Sequence, residues 1–405
     1  MIESIVSRLW IILQVLVGYH LVFPLILYIF HFFRPGKNRR PKNAETARAD
    51  YAVIVTAYEQ TDSLPFVIDS LLKLKYPNYL IYVVADKCDI SNLAFEDERV
   101  IILRPESTLA SNTRSHFYAI RHFKRDHNRL TIIDSDNLVH PEYLDQLNYF
   151  FDKGYEAVQG VREAKNLNTN YACLDAARDI YYHFYDGKLL YQAGASATLA
   201  GSGMAFTTAL YRECLEHKDV SGAGFDKVLQ FEILRRNKKI AFAQNAIVFD
   251  EKTSESGQLV NQRARWINTW FRYFGFGFKL ISLGVKNLSW NQFLFGFVLL
   301  RPPLFIFLIL SAFCAVANLF ININHSLVWA AGFASFILSF ILALLSSDTD
   351  KRIYQSLVNI PKFMFFQVIS LINSRRANQR SIATKHNNQT AIKDIVEIEE
   401  NGFKR

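Results

Sequence analysis

Asp134-Ser135-Asp136 sets two carboxylates two residues apart, directly after the apolar run Arg129–Ile133. At the end of an extended strand the two side chains reach the same side. There they suit a hard divalent cation, Mg2+ or Mn2+, whose remaining positions take phosphate oxygens. An Asx turn closing a strand produces the same three letters, so the pattern needs company. Asp86 supplies some, at the end of LIYVVAD (80–86), and Glu59 more, just past YAVIVTA (51–57). No GxGxxG follows a strand and no GxxxxGK[ST] occurs, which removes a dinucleotide fold or P-loop as the phosphate cradle. Cys88, Cys173, Cys214 and Cys314 lie far apart without paired spacing, against a zinc knuckle or disulfide framework. His116, His122 and His183 fall in helical patterns without ligand-like neighbours and read as structural.

These acids need a scaffold that brings strand ends together. From residue 50 to 271 charge density is ordinary and short β-branched runs alternate with helical spacing. After YAVIVTA, apolar residues recur at Leu64, Val67, Ile68, Leu71 and Leu72 and stop at Pro77. LIYVVAD, RVIILR (99–104), a helix over 112–123 and RLTIID (129–134) follow. This alternation predicts an α/β domain with a mainly parallel central sheet. Such sheets bind ligands at the carboxyl ends of their strands, where Glu59, Asp86, Asp134 and Asp136 fall. The Asp250-Glu251-Lys252 segment after the apolar strand 246–249 reads as structural or at the margin of the site.

The flanks are of another kind. Leu9–Phe33 carries no formal charge and exceeds the roughly 20 residues that cross a bilayer. Arg34, Lys37, Arg39, Arg40, Lys42 and Arg48 follow against Glu45 alone, and positive charge beside a span marks the cytoplasmic side. Residues 302–347 are again uncharged and divide at the polar patch 322–326, as two spans joined by a tight external loop would. The segmentation is therefore a membrane helix over 1–33, a basic cytoplasmic linker over 34–49, the α/β domain over 50–271 and an amphipathic interfacial region over 272–301. Two membrane helices over 302–347 follow, then an interfacial or re-entrant segment and basic cytoplasmic tail over 348–405, with Arg375, Arg376 and Arg380.

Composition agrees. The chain has 405 residues, a net charge of +9, 50% hydrophobic residues and 34 Phe. Disorder, collagen and coiled coil are excluded for the whole. The basic runs abut spans and no recognition module is present, which argues against nucleic acid as a partner. The pattern of spans and the disulfide-poor chain predict a multi-pass protein of a bacterial inner membrane with its α/β domain in the cytoplasm.

The residues of the middle domain, taken together, resemble the membrane-bound inverting glycosyltransferases of family 2, including the processive polysaccharide synthases. VTAYEQ (55–60) resembles the family's opening strand and loop, and VVADKCD (83–89) its second acidic strand end. DSD (134–136) matches the metal motif, and LAGSGMAF (199–206) resembles the glycine-rich segment near the donor and acceptor sugars. FDKVLQFEILRRNKKIAF (225–242) resembles the region carrying the catalytic acidic pair, and QRARW (262–266) matches QxxRW. Two positions depart from the pattern: Phe225 stands where the first acid of the pair usually lies, and the opening loop lacks its usual Asn.

The resemblance implies a GT-A fold that binds a nucleotide sugar, with a UDP-linked donor expected. It also implies hexosyl or N-acetylhexosaminyl transfer with inversion in cell-envelope polysaccharide biosynthesis. Asp226 is the implied general base. Ala57, Glu59, Asp86, Asp134, Ser135, Gln262 and Arg265 are the donor contacts, Asp134 and Asp136 the metal ligands, and Gly201, Gly203 and Trp266 the acceptor side. Arg suits a diphosphate through its planar fork of N–H groups, although contact with anionic lipid is the alternative for an arginine here, Arg263 included. Trp266 offers a face to a sugar ring or an anchor at the interface. A growing glycan is the expected acceptor and a lipid-linked acceptor receiving one sugar the alternative. Three spans are few for a polymer passage, which leaves room for a homodimer or an export partner. A non-catalytic transport or scaffold protein is the alternative of another class.

Overall fold

A computed structural model describes residues 2–33, 49–375, 377 and 391–395. The basic cluster from Arg34 to Arg48, together with Arg376, Arg380 and the segment Ser381–His386, lies outside them. In chain order the elements are α1 (Ile2–Phe33), β1 (Tyr51–Tyr58), α2 (Leu64–Leu72), β2 (Tyr79–Asp86), β3 (Val100–Leu103), α3 (Asn112–Arg121), β4 (Arg129–Asp134), β5 (Leu138–Val139), α4 (Tyr143–Asp152) and β6 (Ala157–Ala164). Next come α5 (Asn170–Tyr182), a π-helical turn (His183–Leu189), α6 (Leu190–Gln192), β7 (Met204–Thr207), α7 (Thr208–Leu215), α8 (Phe225–Arg235) and β8 (Ile240–Asp250). The remainder is helical: α9 (Ser256–Tyr273), α10 (Phe276–Lys286), α11 (Trp290–Leu300), α12 (Leu304–Ile321), α13 (Ile323–Leu345), α14 (Lys351–Ser356) and α15 (Ile360–Asn373).

Eight strands form one sheet in the order β3-β2-β1-β4-β7-β6-β8-β5. The half from β3 to β4 is wholly parallel, as the alternation of strands and helices predicts. Beyond β4 the sheet is mixed. β7 runs antiparallel to both neighbours, β6 and β8 pair in parallel, and β5 pairs antiparallel with β8. The expectation of a mainly parallel sheet therefore holds for one half only. β7 enters the sheet from the glycine-rich turn at 201–203, after α5, the π-helical turn and α6, and runs against both β4 and β6. The register sets Tyr58 beside Asp86 and Thr56 beside Asp134, so the carboxyl ends of β1, β2 and β4 are adjacent. Tyr51–Val55 and Ile81–Ala85 are fully buried between the helical layers, which explains their unbroken apolar runs.

Among the described residues, four helical stretches are long and apolar enough to cross a membrane: Ile5–His31, Leu304–Ile321, Ile323–Leu345 and Lys351–Asn373. The chain is a multi-pass membrane protein. The last stretch is one more than the sequence counts as spans. It is broken by a short 3-10 turn at Leu357–Asn359, and α15 lies along α9. The polar patch at 322–326 is also no extended loop. Asn322 alone makes the turn, accepting the Asn324 N–H at 3.0 Å as the cap of α13. Inside the bundle, Gln14 Oε1 accepts from Asn318 at 2.6 Å and from the Trp329 indole at 2.9 Å, tying α1 to α12 and α13. The Tyr185 hydroxyl donates to the Ser339 carbonyl at 2.8 Å and fastens the π-helical turn to α13. Between the α/β domain and the bundle, α10 and α11 form a tight hairpin. A Cβ on Gly284 would stand 2.5 Å from the backbone N of Phe293.

Candidate active site

A cavity of about 1770 Å3 opens at the carboxyl ends of β1, β2 and β4 and continues between the C-terminal helices. Ala57, Asp86, Asp134, Ser135, Asp136, Gly201, Asp226, Gln262, Arg265 and Trp266 all border it. Six separate segments deliver them, so chain folding, not sequence proximity, builds the group.

Asp134 closes β4, and Asp136 follows after Ser135. Ser202 holds this corner: its Oγ accepts from the Asp134 N–H at 3.1 Å and from Asn137 Nδ2 at 2.7 Å. Lys165 donates to the Asp136 carbonyl at 3.1 Å. Among the described residues no group of three or more His, Cys, Asp and Glu side chains gathers as a metal cage. Two carboxylates on an open cavity wall still fit a cation of the Mg2+ type, which takes one or two protein carboxylates and completes its shell with phosphate and water.

Asp226 lies in the first turn of α8, with 16% of its side chain exposed. Lys227 Nζ stands 3.1 Å from its Oδ2 and also donates to the Leu199 carbonyl at 3.1 Å, linking the acid to the glycine-rich turn. Gly224 caps the helix at φ +103°, and a Cβ there would meet Thr269 at 2.6 Å and Tyr273 at 2.7 Å. Only glycine permits this approach of α8 to α9. Phe225, in place of a second acid, is buried with its ring 5.1 Å from that of His116.

Two predicted site residues, Glu59 and Gly203, lie off the cavity wall, and a third, Asp86, reaches it with its oxygens engaged. Glu59 does not border the cavity. At φ +60° the chain turns it outward to Lys87, 2.7 Å away, while Tyr58 and Gln60 face inward. Gly203 also stays out of the cavity wall. A Cβ there would stand 2.8 Å from Val248, so its role is close packing on β8, whereas Gly201 borders open space. Asp86 reaches the wall, but both its oxygens are engaged, accepting from the N–H groups of Leu109 at 2.9 Å and Ala110 at 2.7 Å. It holds the turn before α3.

Part of the cavity wall is a ladder of buried charges. Arg263 pairs with Asp175, Asp175 with Arg178 at 3.4 Å, and Arg178 with Asp179. Lys252 then lies 2.5 Å from Asp179 and 2.6 Å from Asp250. Asp250 pairs with Arg162, whose other arm donates to the Ala200 carbonyl at 2.6 Å. The ladder thus runs from the QRARW helix to the glycine-rich turn. It begins and ends on a cation, four against three carboxylates. Arg263 is therefore no lipid-facing arginine, and the 250–252 segment is part of the site wall. Trp266 carries the guanidinium carbons of Arg263 and Arg178 at 4.1 and 4.5 Å from its ring centroid, so its observed contacts are cation–π pairs. Arg162, Asp175, Arg178 and Asp179 are absent from the sequence reading. The signal was there in ACLDAARDIYY (172–182), where three charges interrupt an apolar helix.

Burial weighs against the charges of Arg162, Arg178, Asp179, Asp250 and Lys252, and the neighbours outweigh it. Arg178, Lys252 and Arg162 hold Asp179 well below the usual carboxylate range, and Arg162 and Lys252 hold Asp250 below it. Burial, then the charge of Arg178, pulls the Arg263 guanidinium down to about 10, still cationic at neutral pH. Arg265 is lowered by burial. His183, read as structural from the sequence, borders the cavity beside the ladder. Burial depresses it to about 4, with Asp179 opposing and Lys252 assisting. His116 is depressed to about 3 by burial.

A pH effect follows. Between the unfolded value near 6.5 and these folded values, the unfolded chain binds protons that the folded chain does not, so stability falls as pH drops through that window. The melting temperature in detergent is expected to be lower at pH 5 than at pH 7, and His183→Gln should shallow the slope. A flat profile in the native chain would contradict the burial of both rings.

Residues 48–269 match the family model described as glycosyltransferase like family 2. No curated protein matches the chain. Among solved structures, the mannosyltransferase PcManGT from Pyrobaculum calidifontis, in complex with GDP-Man and Mn2+, is similar at a TM-score of 0.58 and 16% identity. The match covers 90% of this chain and 98% of that one. S. aureus TarS 1–349 in complex with UDP-GlcNAc matches at a TM-score of 0.41 and 14% identity, over 82% of this chain and 90% of that one. The first of these likenesses supports the GT-A-like fold with its mixed sheet.

Proposed function

The chain belongs to glycosyltransferase-like family 2, and from that premise we propose that it transfers a sugar with inversion from a nucleoside diphosphate donor to an acceptor hydroxyl at the membrane surface. The observation that carries the reading is convergence. Asp134 and Asp136 from β4, Asp226 from α8, and Gln262 and Arg265 from α9 border one cavity.

Asp226 takes the proton of the acceptor hydroxyl as its oxygen forms the new bond to the sugar C1. The C1–O bond to the diphosphate breaks, and the electron pair leaves on the diphosphate oxygen. Attack opposite to the leaving group inverts the anomeric centre. Asp134 and Asp136 would hold Mg2+ or Mn2+, which would supply positive charge against the leaving diphosphate. The cation-rich ladder adds a positive wall. Arg263 Nε and Nη1 are buried without a hydrogen-bond partner among the described residues, donors suited to an anionic ligand. Gln262 is oriented by Thr253, whose hydroxyl donates to Oε1 at 3.2 Å, leaving its amide N–H groups for the donor. The GDP-mannose bound to the structural neighbour widens the donors worth testing beyond UDP-sugars. The basic residues that follow the first span support a cytoplasmic catalytic domain.

The test is release of nucleoside diphosphate by detergent-purified protein across UDP-, GDP- and dTDP-sugars, with Mn2+, with Mg2+ and with EDTA. One donor is expected to turn over, with loss of activity in EDTA and in Asp136→Ala. Absence of both turnover and calorimetric binding for every donor would return the chain to a non-catalytic membrane role.

A further inference from the structure

A second cavity, of about 520 Å3, is lined by the start of α5, the loop before α9 and the last stretch of membrane-spanning length. Its volume falls among small-molecule pockets, about 300–1,000 Å3. The stretch Lys351–Asn373 is apolar enough to cross a bilayer, yet it carries a polar stripe. Arg352, Gln355, Asn359 and Lys362 recur at three or four residues, the spacing of one helix face, and all four border this cavity. The catalytic domain supplies Thr169, the N-cap of α5, with Asn168 and Ser254. Asn168 Oδ1 accepts from Asn166 Nδ2 at 2.9 Å and from the Ser254 hydroxyl at 2.8 Å, so its own N–H groups are left to donate. The charge here is small and of one sign. Among the described residues no carboxylate borders the cavity. Asp350 holds both arms of Arg352, at 3.1 and 2.9 Å, and offsets its charge. Lys362 pairs with no carboxylate among the described residues, and its Nζ lies 5.8 Å from the centroid of the Tyr171 ring.

We propose that this cavity binds a phosphodiester of single negative charge, the chemistry of an anionic phospholipid head group or of a soluble glycerophosphodiester, apart from the reacting centre. One uncompensated cation among amide and hydroxyl groups suits one negative charge spread over oxygens. A nucleoside diphosphate would bring at least two charges to that one cation. A neutral sugar would leave Lys362 without a counter-charge on a membrane-length stretch, where an unpaired charge is costly. The diester meets both conditions: its anionic oxygens accept from Lys362 Nζ and from Asn168 Nδ2. The occupant reaches the active site through a shared wall, for Asn168 and Ser254 border both cavities. Asn166, bonded to Asn168, clasps the Lys252 backbone, accepting its N–H at 2.8 Å and donating to its carbonyl at 3.0 Å. Thr253 beside it orients Gln262. A diester bonded to Asn168 therefore steadies the segment that sets Gln262 and the Lys252 rung of the ladder.

The test titrates the full chain in dodecyl maltoside with dioctanoyl phosphatidylglycerol, dioctanoyl phosphatidylcholine and glycerophosphoglycerol, read by native mass spectrometry and calorimetry. One saturable phosphatidylglycerol per chain is expected, weakened about tenfold in Lys362→Gln by loss of a charge-assisted hydrogen bond and retained in Lys362→Arg. Lys279→Gln, on α10 and outside the cavity, should leave binding unchanged, and melting curves of the variants report folding. Glycerophosphoglycerol bound with the same dependence on Lys362 would make the head group alone sufficient and admit a soluble ligand; phosphatidylglycerol bound without it would assign the site to the lipid. Phosphatidylcholine bound equally tightly, or phosphatidylglycerol binding indifferent to Lys362→Gln, would overturn the proposal. Calorimetry with donor and Mn2+ reads the shared wall: phosphatidylglycerol should tighten donor binding by at least about fivefold, the lower end of ordinary coupling between sites, and not in Lys362→Gln. Unchanged donor affinity would remove the link to Gln262. A chain that bound no donor at all would fail the transfer reading, while the dependence on Lys362 would still decide this site.

Discussion

Asp226→Asn is expected to lower kcat by about 10²–10⁴-fold, the range a positioned general base contributes, with the KM for the donor sugar little changed. The substitution keeps the size of the side chain and removes only its ability to take a proton. Nothing else in the group is arranged to replace it. Asp134 and Asp136, at and just past the end of β4, are proposed to hold the metal, Asp86 has both oxygens engaged by the 109–110 turn, and the carboxylates of the ladder are each paired with cations. Phe225 removes the second acid that could have shared the task. Lys227 loses a partner at 3.1 Å but keeps the Leu199 carbonyl, so the glycine-rich turn should stay in place. Steady-state release of nucleoside diphosphate gives kcat, and calorimetry with donor and Mn2+ gives binding. An Asn variant that turned over normally would move the base elsewhere. One that failed to bind donor would make Asp226 part of the donor pocket.

Much of the site was legible because it lies where topology alone puts acids. Strands β1, β2 and β4 read as apolar runs ending in polar letters, and parallel pairing brings those ends together. The parallel half of the sheet was legible for the same reason. The other half was not. β7 is four residues long and β5 two, too short for periodicity to register, and their antiparallel direction is set by partners distant in the chain. Glu59 misled because a strand-end acid can face either way, and the positive φ that turns it toward Lys87 is a property of the folded loop. Gly201 and Gly203 look equivalent in sequence, yet one borders the cavity and the other a valine. The ladder was hidden for a deeper reason. Its members are charged and distributed from Arg162 to Arg263 over helices, strand ends and a loop, and charged residues at such places ordinarily face water. Burial, which gives them their meaning, appears only when α5, β6, β8 and α9 are assembled.

That burial makes Arg162→Met the second large effect. Arg162 is the end of the ladder that touches the glycine-rich turn, and its charge is strengthened by Asp250, Asp179 and Asp134 against the burial that opposes it. Removing it leaves Asp250 with Lys252 alone and frees the Ala200 carbonyl. Breaking a buried ion pair on one side costs about 3–5 kcal/mol, and the surviving Lys252 contact argues for the lower end. Arg162→Met should therefore lower the melting temperature markedly and raise the concentrations of donor and Mn2+ needed for half-maximal rate. Removal of both partners distinguishes the causes. In Arg162→Met/Asp250→Asn no carboxylate is left short of a cation, so stability should recover toward the native value. The weakened donor and metal response should persist, because the tie from β6 to the 199–203 turn, and through Ser202 to Asp134, is still missing. If the double variant recovered both, the ladder would be a matter of stability alone. Recovery of stability without recovery of the donor and Mn2+ response would make Arg162 the residue through which the buried charges position the metal corner.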